Sequence, residues 1–518
     1  MEKNNSFIRA SAVLVASSMA VKILSAAYRV PLTRMLGAYA MGKYSIVFNL
    51  FMPFFALSTA GITPAVSRLA TQIKADNPMD TLEKLKAKAL ALYLLFAIAL
   101  SAIFIGVGAV YSKSLEEKVV LIGAVILAPN LIFGAVEGVY KGLTQGKMDM
   151  LPTAKANLVE SVSKVCLGFG SVFFITQALK SYDKNLPIIA SLAAITLSGV
   201  VCVVYLYFSC PKPKGACRGR RVKNKELLGM SVPISLSAVT MSITAFFDTA
   251  VCLPIIDKIP AESLINSFQG ASFKGANDIP LFLFGTYQGM VLTVFNLVPA
   301  LLGSLGTVSL PVITKAQTVG NFQGLQRQAT RLFVITSAVS VPMCVYTFFF
   351  CADIINVLFG TSSAQGAIAA ELLKIIIPSG VLASFTLAFN AIMHAMKKSY
   401  LVFRILMVSA AVKCGLSFVL CAVPQINIRG FALSANVFYA ITFVLSLVEL
   451  KKLKLKFSFF KVFFVPVSAA YIMVLVTGAV CNNLLFGLPL AVKIAIGGGF
   501  FLILYGILLI LSGFLVDI

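Results

Sequence analysis

The nine residues Gly42-Lys-Tyr-Ser-Ile-Val-Phe-Asn-Leu50 return 247 positions later as Gly289-Met-Val-Leu-Thr-Val-Phe-Asn-Leu297. The likeness continues from Pro64-Ala-Val-Ser-Arg68 into Pro311-Val-Ile-Thr-Lys315, and over these 27 aligned positions Gly, Val, Phe, Asn, Leu and Pro are identical. A second set keeps a shift of 249, pairing Pro129 with Pro378, Gly142 with Ala391 and Lys164 with Lys413. An internal period of this kind marks a duplicated architecture. The chain is therefore expected to fold as two similar halves.

Composition says what the halves are made of. Hydrophobic residues make up 59% of the 518 positions and charged residues 12%, against roughly 45–50% and about 25% in an ordinary soluble domain. Fourteen apolar runs, centred near residues 18, 54, 98, 131, 165, 198, 240, 298, 341, 384, 411, 440, 471 and 501, reach the ~20 residues needed to cross a bilayer. Hydrocarbon offers the backbone no hydrogen-bond partner, so a span is a helix or part of a closed barrel. Continuous apolar runs without alternation exclude the barrel. The run 11–28 reads as a retained first span and not a cleaved signal, because Lys22 interrupts it and no small-residue cleavage site follows.

The predicted fold is an all-α integral membrane protein of about 14 transmembrane helices, two pseudo-symmetric six-helix bundles plus two C-terminal helices. The expected organisation is an N-terminal bundle at 1–210, a basic linker at 211–227, a second bundle at 228–450 and two added helices at 451–518. Two such halves facing each other across a central cavity are the usual plan of a transporter that opens alternately to either side.

The net charge of +24 raises the question of a nucleic-acid partner. With the amino terminus cytoplasmic, 28 of the 43 Lys and Arg fall on the inner side and 12 in outer loops, with Lys22, Lys164 and Lys413 inside spans. That is the positive-inside pattern, and it predicts cytoplasmic N- and C-termini with no nucleic-acid partner. The basic run Lys212, Lys214, Arg218, Arg220, Arg221, Lys223, Lys225 then serves as a topology anchor. Ten scattered cysteines without a Cys-x-x-Cys, beside the single His394, form no zinc set and read as buried free thiols. No metal, cofactor or catalytic residue is predicted.

Gly37-Ala-Tyr-Ala-Met-Gly42-Lys43 imitates a phosphate loop, but Tyr44 replaces the magnesium-binding hydroxyl and no strand precedes it. Gly134, Gly138 and Gly142 are spaced to share one helix face and admit a neighbouring backbone. Prolines within spans, among them Pro53, Pro64, Pro233, Pro299, Pro311 and Pro342, are expected to kink or interrupt helices. The equivalence of Pro64 and Pro311 suggests matched bends.

The chemistry sits in charged residues within the apolar runs or, as for Arg29 and Arg34, just beyond the first of them, because a charge at mid-bilayer costs at least about 2.5–3.5 kcal/mol unless it meets a partner or water. Glu160 and Lys164, four apart on one helix face, are read as a structural intramembrane pair. Lys22, Arg29, Arg34, Lys413 and Asp248 are the candidates for a substrate-binding cavity. Cations in that cavity suit an anionic substrate, and arginine matches phosphate oxygens in bidentate fashion.

The stretch Lys22-Ile-Leu-Ser-Ala-Ala-Tyr-Arg-Val-Pro-Leu-Thr-Arg-Met-Leu-Gly37, followed by Gly42-x-Tyr44, Leu57-Ser-Thr-Ala-Gly-Ile62 and Pro64-Ala-Val-Ser-Arg68, resembles the stage V sporulation protein B group of polysaccharide exporters. That group lies in the multidrug/oligosaccharidyl-lipid/polysaccharide (MOP) flippase superfamily. Gln145-Gly-x-x-x-Met-x-Pro-Thr-Ala154, Gly289 through Pro299 and Pro311-Val-Ile-Thr-Lys-Ala316 carry the resemblance along the chain.

The resemblance implies a place in the bacterial cytoplasmic membrane, and the expected state is a monomer. It implies transfer of a polyprenyl-pyrophosphate-linked sugar, a cell-wall or polysaccharide precursor, between leaflets by alternating access, with membrane lipids as the other partner. Related lipid II flippases carry a basic cavity residue at the position of Lys22, and their cavity arginines fall near Arg29 and Arg34. Their further cavity arginines have no clear counterpart here. A cation-coupled multidrug antiporter of the same superfamily is the alternative, to which Asp248, Glu137 and Glu160 would contribute acidic groups. An enzyme reading lacks both an Asp-x-Asp metal motif and a large outer domain.

Overall fold

The computed structural model describes residues 2–73, 78–114, 117–147, 149–178, 185–210, 224–268, 278–318, 321–361, 364–396, 398–455, 458, 460–483 and 487–514. The basic run over 211–223 lies outside the described residues. The described residues are helical throughout, with no strand among them, as continuous apolar runs require. They divide into two compact units, Met1–Pro254 and Ile255–Ile518.

The first unit contains α1 (Glu2–Thr59), α2 (Ile62–Ile73), α3 (Pro78–Ser114), α4 (Lys118–Gly146), α5 (Leu151–Phe173), α6 (Leu186–Ser209) and α7 (Asn224–Phe247). Single π-helical turns extend α5 over Phe174–Ala178 and α7 over Asp248–Cys252. After α8 (Leu253–Asp257), the second unit holds α9 (Ala261–Ser267), α10 (Ile279–Thr286), α11 (Leu292–Thr318), α12 (Phe322–Phe349), α13 (Cys351–Phe359) and α14 (Ala364–Ile376). It closes with α15 (Ser379–Ala395), α16 (Ser399–Cys421), α17 (Arg429–Lys452), α18 (Val465–Asn483) and α19 (Leu490–Leu511).

Among the described residues twelve helices are long and apolar enough to cross a membrane, and α14 with α15, bent by 50°, makes a thirteenth. The fourteen runs of the sequence differ from this by one because those centred near 18 and 54 form one helix. α1 is continuous in its hydrogen bonding except at Gly37, whose φ of 72° is left-handed. The apolar run Met19–Thr71 spans 53 residues, far more than the ~20 of one crossing. It is long enough for two crossings, with the break between them at Gly37.

Lys43, in the phosphate-loop look-alike, lies in the second arm of α1 and not in a loop. Its ammonium meets Glu117 at 2.6 Å, reaches Asn185 at 3.5 Å and sits 4.8 Å from the ring centre of Tyr39. The motif thus secures a helix to two loops at one end of the unit.

The glycine face of α4 does what its spacing predicts, and it extends one turn further. A Cβ on Gly134 would lie 2.6 Å from Thr59, one on Gly142 2.7 Å from Val66, and one on Gly146 2.5 Å from Ala70. Hydroxyls exploit this close approach: Ser58 donates to the Leu131 carbonyl at 3.1 Å, Thr63 to Gly138 at 3.2 Å and Thr71 to Gly146 at 3.3 Å. With no hydrophobic force between helices in lipid, such contacts are what hold them together. In the second unit Ala383, Ala391 and Ala395 stand 249 positions beyond Gly134, Gly142 and Gly146. All three alanines are buried, and α15, which carries them, packs against α11.

The duplicated segments are not identical in structure. In the first copy the chain turns at Ala60–Gly61, and Pro64 falls in the first turn of α2, where its missing N–H is harmless. In the second copy α11 remains helical through Pro311. The helix break beside Pro64 therefore has no counterpart at Pro311. The shared asparagine diverges as well: Asn49 is buried and donates to Thr249 at 3.0 Å, whereas Asn296 is exposed.

The second unit packs around one apolar core in which Phe385, Phe389, Phe438 and Phe501 are buried. Arg429 ties its shorter helices together: Nε donates to Glu371 at 2.6 Å, Nη2 to the Ser267 carbonyl at 2.9 Å, and the guanidinium lies 4.2 Å from the Phe268 ring centre. The nine described cysteines are free thiols.

Candidate functional site

Lys22 and Arg29 are seven residues apart on α1 and so share a face two turns long. Both are half-buried, while Arg34, five residues on, is exposed. Between the first two, Tyr28 turns inward and is buried at 5% exposure. It can do so because α5 presents Gly168, where a Cβ would stand 2.4 Å from the Tyr28 hydroxyl.

Glu160, Lys164 and Gly168 repeat every four residues along α5, so the same face that receives Tyr28 also carries an acid and a base. The Lys164 ammonium lies 6.0 Å from the Tyr28 ring centre, within reach of a cation–π attraction worth about 0.5–2 kcal/mol. Arg29 is within electrostatic reach of Lys164, Tyr28 and Tyr44. The structure thus gathers Arg29 and Lys164, with two phenols, where α1 crosses α5. Two cations so placed attract an anion, and they do so more strongly as the surroundings become less polar.

Glu160 has a second neighbour that the sequence reading overlooked. Its carboxylate lies 3.4 Å from the Lys141 ammonium of α4, and Lys141 donates to Glu137 at 2.8 Å. Glu137 and Lys141 are four apart, an ion-pair spacing visible in the sequence. Cys202 of α6 completes the group: ligand atoms of Glu137, Glu160 and Cys202 lie within 4.8 Å of one another. Such a set has the donors for a borderline-soft divalent ion. Here the cation between the carboxylates is Lys141 itself.

The other candidates fall elsewhere. Asp248 is buried at the start of the π-helical turn Asp248–Cys252. That turn is held by the Asn49–Thr249 bond and by Tyr111, whose hydroxyl donates to the Ala250 carbonyl at 2.9 Å. π-Turns of this kind are frequent at functional positions. Lys413 belongs to the second unit, where it is buried on α16 between Ser409 and Ser417. His394 meets the Ser399 hydroxyl at 2.9 Å through Nδ1.

A family model described as polysaccharide biosynthesis protein matches residues 7–317, more than half of the chain, and a MatE model matches 288–419. The chain belongs to the polysaccharide biosynthesis protein family. This family member is 24% identical over 442 residues to Stage V sporulation protein B of Bacillus subtilis (strain 168), covering 83% of the chain and 80% of that relative. It is 23% identical over 449 residues to Lipid II flippase MurJ of the same organism, covering 82% and 78%.

Among solved structures, Lipid II flippase MurJ in an inward closed conformation matches over 96% of this chain and 98% of its own, with a TM-score of 0.68 at 16% identity. An inward-facing multidrug resistance MATE family transporter of the MOP superfamily matches over 86% and 99%, with a TM-score of 0.65 at 14% identity. At these identities the solved structures establish the fold: this polysaccharide biosynthesis protein has the helical architecture of MOP-superfamily transporters.

Proposed function

We propose that this protein is a flippase that carries a polyprenyl-pyrophosphate-linked sugar across the bacterial cytoplasmic membrane by alternating access, with both termini on the cytoplasmic side. The observation that carries the reading is the pairing of Arg29 with Lys164 around Tyr28 on helices that cross the bilayer. A pyrophosphate cannot enter hydrocarbon unaided, because its charge would lose its water. Fixed cations with phenolic hydroxyls beside them replace that water, and the lipid tail needs no polar path. Lys22, on the same face of α1, extends the cationic strip along the helix. The likeness to Lipid II flippase MurJ and Stage V sporulation protein B supports the same reading.

A cation-coupled multidrug antiporter is the second reading, favoured by the fold shared with the MATE transporter. It calls for acidic groups that can accept a cationic drug. Of its three acids, Glu137 and Glu160 on α4 and α5 are already engaged by Lys141, and Asp248 is buried in the π-turn after α7. The charge left for a ligand at the α1–α5 crossing is positive, which supports the anionic substrate.

Leaflet accessibility of labelled lipid-linked oligosaccharides in vesicles containing the purified protein tests the proposal. Faster exchange than in protein-free vesicles, with no uptake of cationic dyes, is expected. Dye efflux without lipid exchange would replace the flippase with the antiporter.

A further inference from the structure

Lys164 is under two opposing influences. Four residues before it on α5, Glu160 attracts its charge, while Arg29 of α1 repels it. The same Glu160 carboxylate lies 3.4 Å from the Lys141 ammonium of α4, so one acid stands between two bases on two helices. The three groups around Lys141 differ in how freely they can move. Glu137 and Lys141, joined at 2.8 Å, keep 9% and 14% of their side-chain surface, whereas Glu160 keeps 38%. Shifting the half-buried carboxylate therefore costs less desolvation than moving either member of the buried pair.

An anion arriving beside Arg29 and Lys164 meets Glu160 as a competitor of like charge, and the repulsion grows as the surroundings become less polar. A carboxylate with no other partner would stay on Lys164 and keep the substrate out. Lys141 gives it somewhere to go. Resting on the anionic-substrate reading above, we propose that Glu160 is the internal counter-ion of Lys164, displaced towards Lys141 by the incoming pyrophosphate, and that Lys141 and Glu137 form a positioning pair. Glu137 fixes Lys141 across one helical turn, so the ammonium is already in place when Glu160 shifts. Neither member of the pair touches the substrate in this scheme; both act through Glu160. Lys164 then keeps a negative partner while the site is empty, which spares a bare charge inside the membrane, and gives that partner up only to a ligand that brings negative charge of its own.

Binding of farnesyl pyrophosphate to the full-length protein in detergent, measured by isothermal titration calorimetry, tests the exchange. Glu160→Gln removes the competitor and should bind several-fold more tightly than the wild type. Lys141→Met/Glu137→Gln removes a buried pair whole, so it orphans no charge there and leaves the net charge unchanged. It should bind several-fold more weakly, because Glu160 then has Lys164 alone. The triple variant Lys141→Met/Glu137→Gln/Glu160→Gln should match Glu160→Gln, since the pair acts only through that carboxylate. Weakening by the same factor with and without Glu160 would make the pair an independent support and overturn the inference. An affinity unchanged from wild type in either Glu160→Gln or the pair variant would overturn it as well. Absence of binding by the wild type and Glu160→Gln alike would overturn the anionic substrate itself, a failure distinct from the other two.

Discussion

Lys141 donates to Glu137 across one helical turn at 2.8 Å, and the same ammonium reaches Glu160 on the neighbouring helix at 3.4 Å. One base thereby serves two acids on α4 and α5. Lys141→Met would leave the buried Glu137 without its cation and Glu160 with Lys164 alone, and breaking a buried pair costs about 3–5 kcal/mol. Thermal unfolding in detergent should fall sharply for this variant. Adding Glu137→Gln should restore most of the loss, because Glu137 then carries no orphaned charge while Glu160 keeps Lys164.

The glycine face of α4 gives a steric prediction. Gly142→Ala and Gly146→Ala place a methyl 2.5–2.7 Å from Val66 or Ala70, and overpacking of this kind costs about 1–3 kcal/mol. Gly170→Ala on α5 has nothing within 4 Å of the added carbon and serves as the control. Unfolding midpoints should separate the first two variants from the third.

For function, Arg29→Gln and Lys164→Gln should each slow lipid-linked sugar exchange in vesicles at least tenfold, which corresponds to about 1.4 kcal/mol, with expression and insertion unchanged. Gly168→Ala should do the same indirectly, by displacing the Tyr28 ring from the Lys164 ammonium. Wild-type rates in all three would remove the α1–α5 crossing from the transport path.

Cys210 lies just past α6, where burial pushes its thiol above the ordinary range while Lys86 and Lys147 pull it down and Asp149 pushes it up. The thiolate is the reactive form, so its alkylation should rise with pH along a curve displaced to higher pH than that of a free thiol. Removing a positive neighbour with Lys86→Gln should displace the curve further upward. Removing the negative one with Asp149→Asn should bring it back down. Rate–pH profiles of the three proteins check the signs.

The apolar runs and the duplicated motif were legible in the sequence because lipid leaves the backbone few choices, and the helices lie where those runs predict. The α4 glycine face was legible for a similar reason: Gly-x-x-x-Gly encodes its own geometry. The site was legible only in part. Lys164 could be read as an intramembrane charge and Arg29 as one just beyond the first span, but nothing in their separation along the chain shows that Gly168 lets Tyr28 seat between helices. Glu160 was assigned to Lys164 on helical spacing. Lys141, 19 residues away on another helix, is a partner that only packing discloses. The shared asparagines diverged because Asn49 meets a π-turn at Thr249, a local irregularity that the motif itself does not encode.

Gly37 has open space around its α-carbon, so its demand is torsional and not steric. An L-residue forced back to helical torsion angles there would make α1 a single rod of 58 residues. At 1.5 Å per residue such a rod is about 87 Å long, nearly three times the thickness of a hydrocarbon core of about 30 Å. The left-handed torsion at Gly37 is thus what breaks so long an apolar stretch into two arms, each long enough for one crossing, at a position with room to spare around it.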